Sequence, residues 1–343
     1  MAFENFDSVL PNLEGSSILI TGGTGSFGKA MMRELFDKHK PRRVAVYSRD
    51  EFKQFQMEER LNDDEKHIFR SFIGDVRDKD RLSMALTGVD YVFHAAALKQ
   101  VPTAEYNPFE CIRTNVIGAE NVVQASIRAG VKKVIALSTD KAANPVNLYG
   151  ASKLAADKIF IAGNSFGQKS GTSFSVVRYG NVVGSRGSII PFFKRLVSEG
   201  KTSLPITDER MTRFWITIPQ AINFTLSSLE IMRGGEIFVP KIPSMKITEL
   251  AKAIAPDLKH EIIGIRPGEK IHEIMIDEHG ARSAVDIGDR FIIEPEWVFW
   301  RRKSFVSEGH PQPEEGFEYS SGTNDQWLDA NDMQEMMNTL GQE

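Results

Sequence analysis

From residue 17 onward, short runs of apolar and β-branched residues alternate with longer stretches whose apolar positions recur every three or four residues. "SILIT" (17–21), "RVAVYS" (43–48), "HIFRSFIGD" (67–75), "DYVFHAA" (90–96), "KKVIALST" (132–139) and "SFSVVRYGNV" (173–182) have the length and composition of strands. Segments 26–38, 51–61, 79–87, 109–129 and 147–166 have helical spacing. This alternation predicts an α/β fold, a Rossmann-type doubly wound parallel sheet whose continuously apolar strands are covered by helices on both faces. After residue 182 the rhythm is lost, and proline, glycine and mixed charge become frequent, as in "LPITDERMTRFWIT" and "GGEIFVPKIPSMK". A smaller, interleaved C-terminal domain is therefore expected. Residues 14–182 would form the sheet domain, with returns near 214–240, while 183–213 and 241–343 would form the second domain and a C-terminal extension. Ligands of open α/β sheets bind beyond the carboxyl ends of the strands, so the second domain should close over that edge.

Length and charge narrow the picture. A chain of 343 residues holds one large domain or two unequal ones, and a net charge of −4 argues against a nucleic-acid groove. Cys111 is the single cysteine, which excludes an internal disulfide and a multi-cysteine metal site and fits a reducing compartment. The histidines lack metal-ligand spacing, so no metal is expected. "MAFENFDSVLPNLEGSS" has no basic stretch leading into an apolar run, and no window approaches the roughly 20 apolar residues of a membrane span. A cytoplasmic protein without a membrane partner is expected. The aromatics of "EWVFWRRKSF" read as core or subunit packing rather than a base-stacking platform.

Chemistry enters with "ILITGGTGSFGKAMMRELF", where Gly22, Gly25 and Gly28 follow the first strand and run into the first helix. Glycine there permits a tight turn and lets backbone approach a pyrophosphate, whose charge rests on the helix N-terminus. At the end of the second strand, "YSRDE" puts Ser48 and Arg49 first in line. An arginine suits a ribose 2′-phosphate, so NADP is favoured over NAD, with Asp50 and Glu51 as first-turn acids of the next helix. Asp75, in "GDVRD", is placed to accept from an adenine amino group with Val76 against the ring, and Ala95, Ala96 and Ala97 let a cofactor lie on backbone.

The stretch "LSTDKAANPVNLYGASK" carries the reactive groups. Tyr149 and Lys153 share one helical face, and a cation beside a tyrosine favours the phenolate, giving a base for a sugar hydroxyl. Following a glycine-rich βα unit by about 120 residues, this pair resembles the signature of the short-chain dehydrogenase/reductase superfamily, extended branch. Thr139 matches the hydroxyl residue that helps hold the reacting oxygen in that superfamily. Retaining nucleotide-sugar 4,6-dehydratases have Thr-Asp-Glu here, whereas this chain has Thr139-Asp140-Lys141. That doublet, with "AEYNP", "PITDERMTRFWIT", "GIRPGEKIHE" and "FEYSSGTNDQWL", resembles the inverting UDP-N-acetylglucosamine 4,6-dehydratases over nearly the whole chain.

The resemblance implies that UDP-N-acetylglucosamine is converted to UDP-2-acetamido-2,6-dideoxy-β-L-arabino-hex-4-ulose, the first step of pseudaminic acid synthesis for flagellin glycosylation, with NADP tightly held and recycled. Asp140 would be the acid at the 6-hydroxyl and Lys141 the base at carbon 5, which requires a neutral amine and so a pKa depressed by burial or by Lys153. Further cofactor contacts are implied at Thr24, Ser26, Phe27, Asp50, Lys53, Lys99, Asn115, Tyr149 and Lys153. Sugar-nucleotide contacts are implied at Lys99, Thr139, Tyr149, Asn181, Val182, Thr207, Met211 and Glu269. Arg266, Arg213 and Arg186 are the candidates for the diphosphate, since a planar guanidinium fork suits phosphate. A homo-oligomer, dimer or hexamer, is implied as well. Two alternatives stay open: a related dehydratase or epimerase of capsule or O-antigen synthesis on the N-acetylfucosamine route, and a non-catalytic NADP-sensing regulator.

Overall fold

Strands apolar on both faces need cover on both faces. In the computed structural model, which describes residues 4–185 and 187–339, they have it. The strands β1 (Ser17–Thr21), β2 (Arg43–Ser48), β3 (Phe69–Ile73), β4 (Tyr91–His94), β5 (Lys133–Leu137) and β6 (Ser173–Val177) pair in parallel in the order β6-β5-β4-β1-β2-β3. Helices α1 (Ser26–Glu34), α2 (Glu51–Glu58), α3 (Asp63–Ile68), α4 (Lys79–Ala85), α5 (Val101–Tyr106), α6 (Pro108–Ile112), α7 (Gly118–Ala129) and α8 (Leu148–Gly167) lie between them in sequence. Ile18, Leu19, Ile20, Val44, Val92, Val134 and Ile135 are fully buried in the main core. Strand order reverses between β1 and β4, and the crevice at such a switch is where ligands of this architecture bind.

Three predicted segments turn out divided, each for a local reason. Residues 63–68 are helical because Asn62 and Glu65 close a capping box, so β3 starts only at Phe69. The run 173–182 breaks after Val177, and β7 (Asn181–Val182) joins another sheet. Gly180 permits the break, since a Cβ there would lie 2.5 Å from the Cβ of Phe214. Segment 109–129 contains a π-helical turn at Arg113–Ile117. The turn carries Asn115, whose carboxamide accepts from the Leu98 amide at 2.8 Å and donates to the Leu98 carbonyl at 2.9 Å.

The second part of the chain supplies β8 (Ser203–Ile206), β9 (Thr212–Ile216), β10 (Ile237–Pro240), β11 (Ser244–Lys246), β12 (Lys259–Ile262), β13 (Ile274–Ile276), β14 (Ala284–Asp286), β15 (Arg290–Ile293) and β16 (Tyr319–Ser320). With them come α9 (Ile189–Ser198), α10 (Ile218–Ile231) and α11 (Ile247–Ile254). Phe193, Leu204, Ile206, Trp215, Met245 and Leu250 form a second, smaller core. The expected split at residue 241 needs correcting, because β10 adds to β6 and the antiparallel β15 and β14 extend the same sheet to nine strands. Strands of three and four residues are too short to show a period, and it is the burial of Ala284, Val285 and Ile292 that binds them to the large sheet. Among the described residues no helix is long and apolar enough to cross a membrane, and no group of three His, Cys, Asp or Glu side chains is placed to hold a metal ion.

Candidate active site

A cleft of about 610 Å³ opens along the carboxyl ends of β1, β2, β4 and β5. Its floor is the turn from Gly22 to Gly28. Gly22 has φ +66°, and a Cβ on it would meet the Ala96 amide nitrogen at 2.7 Å. The turn leads into α1 with Gly25 as its N-cap, so no side chain caps the free N–H groups of the helix. Thr24 donates to Ser48 Oγ at 3.2 Å, joining the turn to the end of β2. Asp50 is occupied as the N-cap of α2, accepting from the Lys53 amide, and it also pairs with the Lys53 ammonium. Arg49 is left largely exposed at the cleft, 3.8 Å from Asp75, which is held mainly by Arg77. Burial works against the Asp75 charge, but the Arg77 hydrogen bonds and the two guanidinium charges outweigh it and lower its pKa.

The reactive cluster sits where β5 ends and α8 begins. Lys153 donates from Nζ to the Leu137 carbonyl at 2.7 Å, and burial lowers its pKa against the pull of Asp157. Asp157 is itself fixed by Ser138 Oγ at 2.8 Å and by Arg178 at 3.2 Å. The phenolate expected at Tyr149 is not favoured: burial pushes the group up to about 12, and the charge that pulls the other way, alongside a hydrogen bond with Thr139, is that of Lys141 and not the expected Lys153. Beneath them His94, hydrogen-bonded to Thr21 at 2.8 Å, is driven down to about 3 by burial and by Lys153. It is a neutral ring in the core.

Thr139 Oγ1 donates to Asp140 Oδ1 at 2.8 Å, and Lys141 Nζ donates to the same oxygen at 3.0 Å. Lys141 also pairs with Glu273 at 3.2 Å. The expected depression of the Lys141 pKa is not found. Burial does disfavour the ammonium, but the carboxylates of Asp140 and Glu273 together outweigh burial and raise the pKa. Lys153, the cation expected to depress Lys141, is instead directed to the Leu137 carbonyl. A glycine-rich turn, an arginine at the end of the second strand, a buried tyrosine and the lysine of an Asp-Lys ion pair thus share one cleft, on a chain that matches the model of the polysaccharide biosynthesis protein family over residues 18–295.

The chain belongs to the polysaccharide biosynthesis protein family.

Similar chains carry more specific names. A Campylobacter jejuni protein named UDP-N-acetylglucosamine 4,6-dehydratase (inverting) is 54% identical over 329 residues, covering 94% of this chain and 98% of its own. A Rickettsia canadensis protein named UDP-glucose 4-epimerase is 40% identical over 331 residues, covering 94% and 96%. Among solved structures, Pen from Bacillus thuringiensis superposes with a TM-score of 0.86 at 34% identity, covering 96% of this chain and 98% of its own.

In this member of the polysaccharide biosynthesis family the cleft gathers most of the expected residues. Gly22, Thr24, Gly25, Ser26, Phe27, Gly28, Ser48, Arg49, Asp50 and Lys53 line one end, with Asp75 and Val76. Ala95, Ala96, Ala97, Lys99, Thr139, Lys141, Tyr149, Lys153, Asn181 and Val182 line the rest. Burial lowers the pKa of Lys99. Asp140 and Asn115 lie behind the wall; Asn115 is consumed by Leu98 and by Ser152 at 2.9 Å. Thr207, Met211, Arg213, Arg266 and Glu269 do not line the cleft. Arg213 in particular is buried and spent on Glu273, the Thr212 and Ile271 carbonyls and the Met211 sulfur, so it has no fork free for a diphosphate. Arg266 pairs with Glu269 on a loop seated against the start of α8, where Asn147 donates to the Gly268 carbonyl at 2.8 Å. Arg186 lies outside the described residues. The motif reading did not single out Glu273, nor Gln100, Thr114 and Tyr179 in the cleft wall. No local pattern marks them, because each is brought in by a different segment.

Proposed function

We propose that this protein is an inverting UDP-N-acetylglucosamine 4,6-dehydratase working with NADP and releasing UDP-2-acetamido-2,6-dideoxy-β-L-arabino-hex-4-ulose. The observation that carries the reading is the Asp140–Lys141 ion pair, held at 3.0 Å, with Lys141 lining the cleft beside Tyr149 and Asp140 just behind its wall. It agrees with the name of the Campylobacter relative. A dinucleotide fits the turn: its phosphates would take the uncapped amides of α1, close to the backbone that a Cβ on Gly22 would obstruct. Asp50 is already used as a helix cap and Arg49 is exposed, which favours a 2′-phosphate over a 2′-hydroxyl. When bound, the nicotinamide supplies the hydride acceptor at carbon 4 and the hydride returned to carbon 6.

The protein's own part is proton movement. Tyr149 takes the proton of the 4-hydroxyl after releasing its own, the Lys141 charge and the Thr139 hydrogen bond opposing the burial that raises its pKa, while Lys153 sits one helical turn further along the same face. A 4-ketone acidifies the hydrogen on carbon 5. The raised pKa of Lys141 is compatible with a base if the pair reacts as a unit. Transfer of one proton from Nζ to Asp140 Oδ1, along the existing hydrogen bond, gives a neutral amine and a carboxylic acid. The amine removes the carbon-5 proton, the acid protonates the departing 6-hydroxyl, water leaves, and the ion pair is restored; when carbon 6 is reduced, carbon 5 takes a solvent-derived proton on its opposite face, which inverts that centre. Asn181 and Val182 flank the sugar. Arg266, exposed on its loop and paired, among the described residues, only with Glu269, is the diphosphate partner, in preference to the occupied Arg213.

We place the reaction in the cytoplasm as the first step of pseudaminic acid synthesis for flagellin glycosylation. The acting species would be a homo-oligomer packed through α6 and α8, where Phe109 and Phe166 are exposed. The name of the Rickettsia relative favours a second reading, UDP-glucose 4-epimerase. That chemistry has no use for an acid–base doublet and leaves Asp140–Lys141 unexplained. Incubation with UDP-N-acetylglucosamine in deuterated water decides. Solvent deuterium at carbon 5 in an L-configured 4-keto product is expected; retained configuration, or epimerisation of UDP-glucose instead, would sink the proposal. Lys141→Glu is expected to lose or reroute the carbon-5 chemistry while still binding NADP.

A further inference from the structure

Glu273 is a carboxylate that none of the steps above uses. It immediately precedes β13, is 2% exposed, and carries an Oε2 with no hydrogen-bond partner. Its backbone is pinned on both sides, the amide donating to Ser321 Oγ at 2.9 Å and the carbonyl accepting from the Ser321 amide at 2.8 Å. Burying a charge with one oxygen unpaired is unfavourable, so the position has no explanation in packing alone. Its Oε1 lies 3.2 Å from Lys141 Nζ and 3.6 Å from Arg213 Nε.

We propose that Glu273 is a positioning residue that reaches Lys141 from the second part of the chain, holds its ammonium in line with Asp140, and governs how readily the pair gives up its proton. The inference rests on the function proposed above. The charged and titratable groups around Lys141 are Asp140 on its own turn, Glu273 and Lys270 before β13, Arg213 on β9 and Tyr149 on α8. Of these, Asp140 and Glu273 alone stand within ion-pair distance. The two carboxylates approach the ammonium from different segments, so Nζ can stay in register with Asp140 only while the second part of the chain is seated. Glu273 does not line the cleft, and its effect on the reaction therefore passes through Lys141.

The test is reductive methylation of the full-length protein with formaldehyde and a borohydride reagent at about pH 8.5, read at Lys141 by peptide mass spectrometry. Removing an opposite charge at this distance lowers a lysine pKa by about one unit or more, so Lys141 in Glu273→Gln should be labelled about tenfold faster than in the wild type. Glu273→Asp keeps the charge and should stay within about twofold of the wild-type rate. The kcat of E273Q for the UDP-sugar should fall by about tenfold or more at unchanged KM, because the amine, though freer to lose its proton, is no longer held in line with Asp140 and acts only on the chemical step. Unchanged labelling in E273Q, whatever happens to kcat, would make Glu273 a packing residue and overturn the proposal. If E273Q is recovered unfolded, Glu273→Met supplies the same comparison. If the wild-type protein turns over no UDP-sugar, the proposed function fails, while the labelling ratio still decides whether Glu273 controls Lys141.

Discussion

Gly150→Ala tests the geometry of the cleft where two opposing effects can be weighed. Gly150 follows Tyr149 in the first turn of α8, and its amide donates to the cap oxygen of Asn147 at 2.8 Å. By helix propensity alone, alanine would stabilise this turn by up to about 1 kcal/mol. A Cβ at this position, however, would sit 2.2 Å from the Lys141 carbonyl oxygen and 3.1 Å from Pro145 Cβ, where ordinary contact begins at 3.4 Å. The oxygen belongs to the backbone and has no rotamer by which to escape. Either α8 or the Asp140–Lys141 turn must therefore retreat by about 1.2 Å, the difference between contact and the distance available. Overpacking of this kind costs about 1–3 kcal/mol, so the net result is destabilisation despite the better propensity. The larger consequence is catalytic, because the retreat separates Tyr149 from Lys141, and a misplacement of about 1 Å can lower kcat about a hundredfold. The assay is kcat for UDP-N-acetylglucosamine alongside NADP affinity by fluorescence titration and thermal melting. A kcat within about twofold of wild type, or a raised melting temperature, would show that the contact between α8 and the doublet is not what holds the geometry.

Two further outcomes are expected. Arg49→Ala should weaken NADP by about tenfold or more, the value of one charged hydrogen bond of about 1.5–3 kcal/mol, and leave NAD unchanged in parallel calorimetric titrations; an equal loss for both would remove the 2′-phosphate from Arg49. Glu294 is lowered below its ordinary 4.5, because hydrogen bonds from Ser304 and the Phe305 amide and the Arg302 charge outweigh the burial that pushes it up. A depressed folded-state pKa contributes stability above about pH 4.5 that is lost as pH falls through the folded value. Urea unfolding at about pH 5 and about pH 3.5 should thus show a smaller loss of stability for Glu294→Gln than for the wild type, and equal losses would contradict the assignment.

Patterning placed β1 and β2 at the residues they occupy because β1 is buried along its whole length and β2 from Val44 onward, and a continuous apolar run bounded by turns has one reading. It merged β6 with β7, since the departure of the chain at Gly180 is decided by Phe214, more than thirty residues later. The glycine-rich turn, Tyr149, Lys153 and the Asp140–Lys141 doublet were legible because each is a local spacing on one turn or one helix face. The charge state expected for Lys141 was not. It depends on Glu273, which has no fixed distance along the chain from the doublet and meets it only through tertiary packing. Arg213 went astray for the same reason: an arginine in a sequence looks available for phosphate until the structure shows its donors already used.

The position of β14 and β15 at the end of the large sheet bears on how the protein emerges from the ribosome. β10 has β6 on one side and β15 on the other, so until residues 290–293 are made, one edge of a fully buried strand has no neighbour. At about 5–20 residues per second the interval between completing β10 and completing β15 lasts roughly 3–10 s. During that time the nascent chain displays an open apolar edge, the feature that invites pairing with another chain. Synthesis of the cleft is finished well before synthesis of the hairpin that seals the sheet, so a chaperone that shields Ile237–Pro240 would guard the stage at which this fold is most exposed to misassembly.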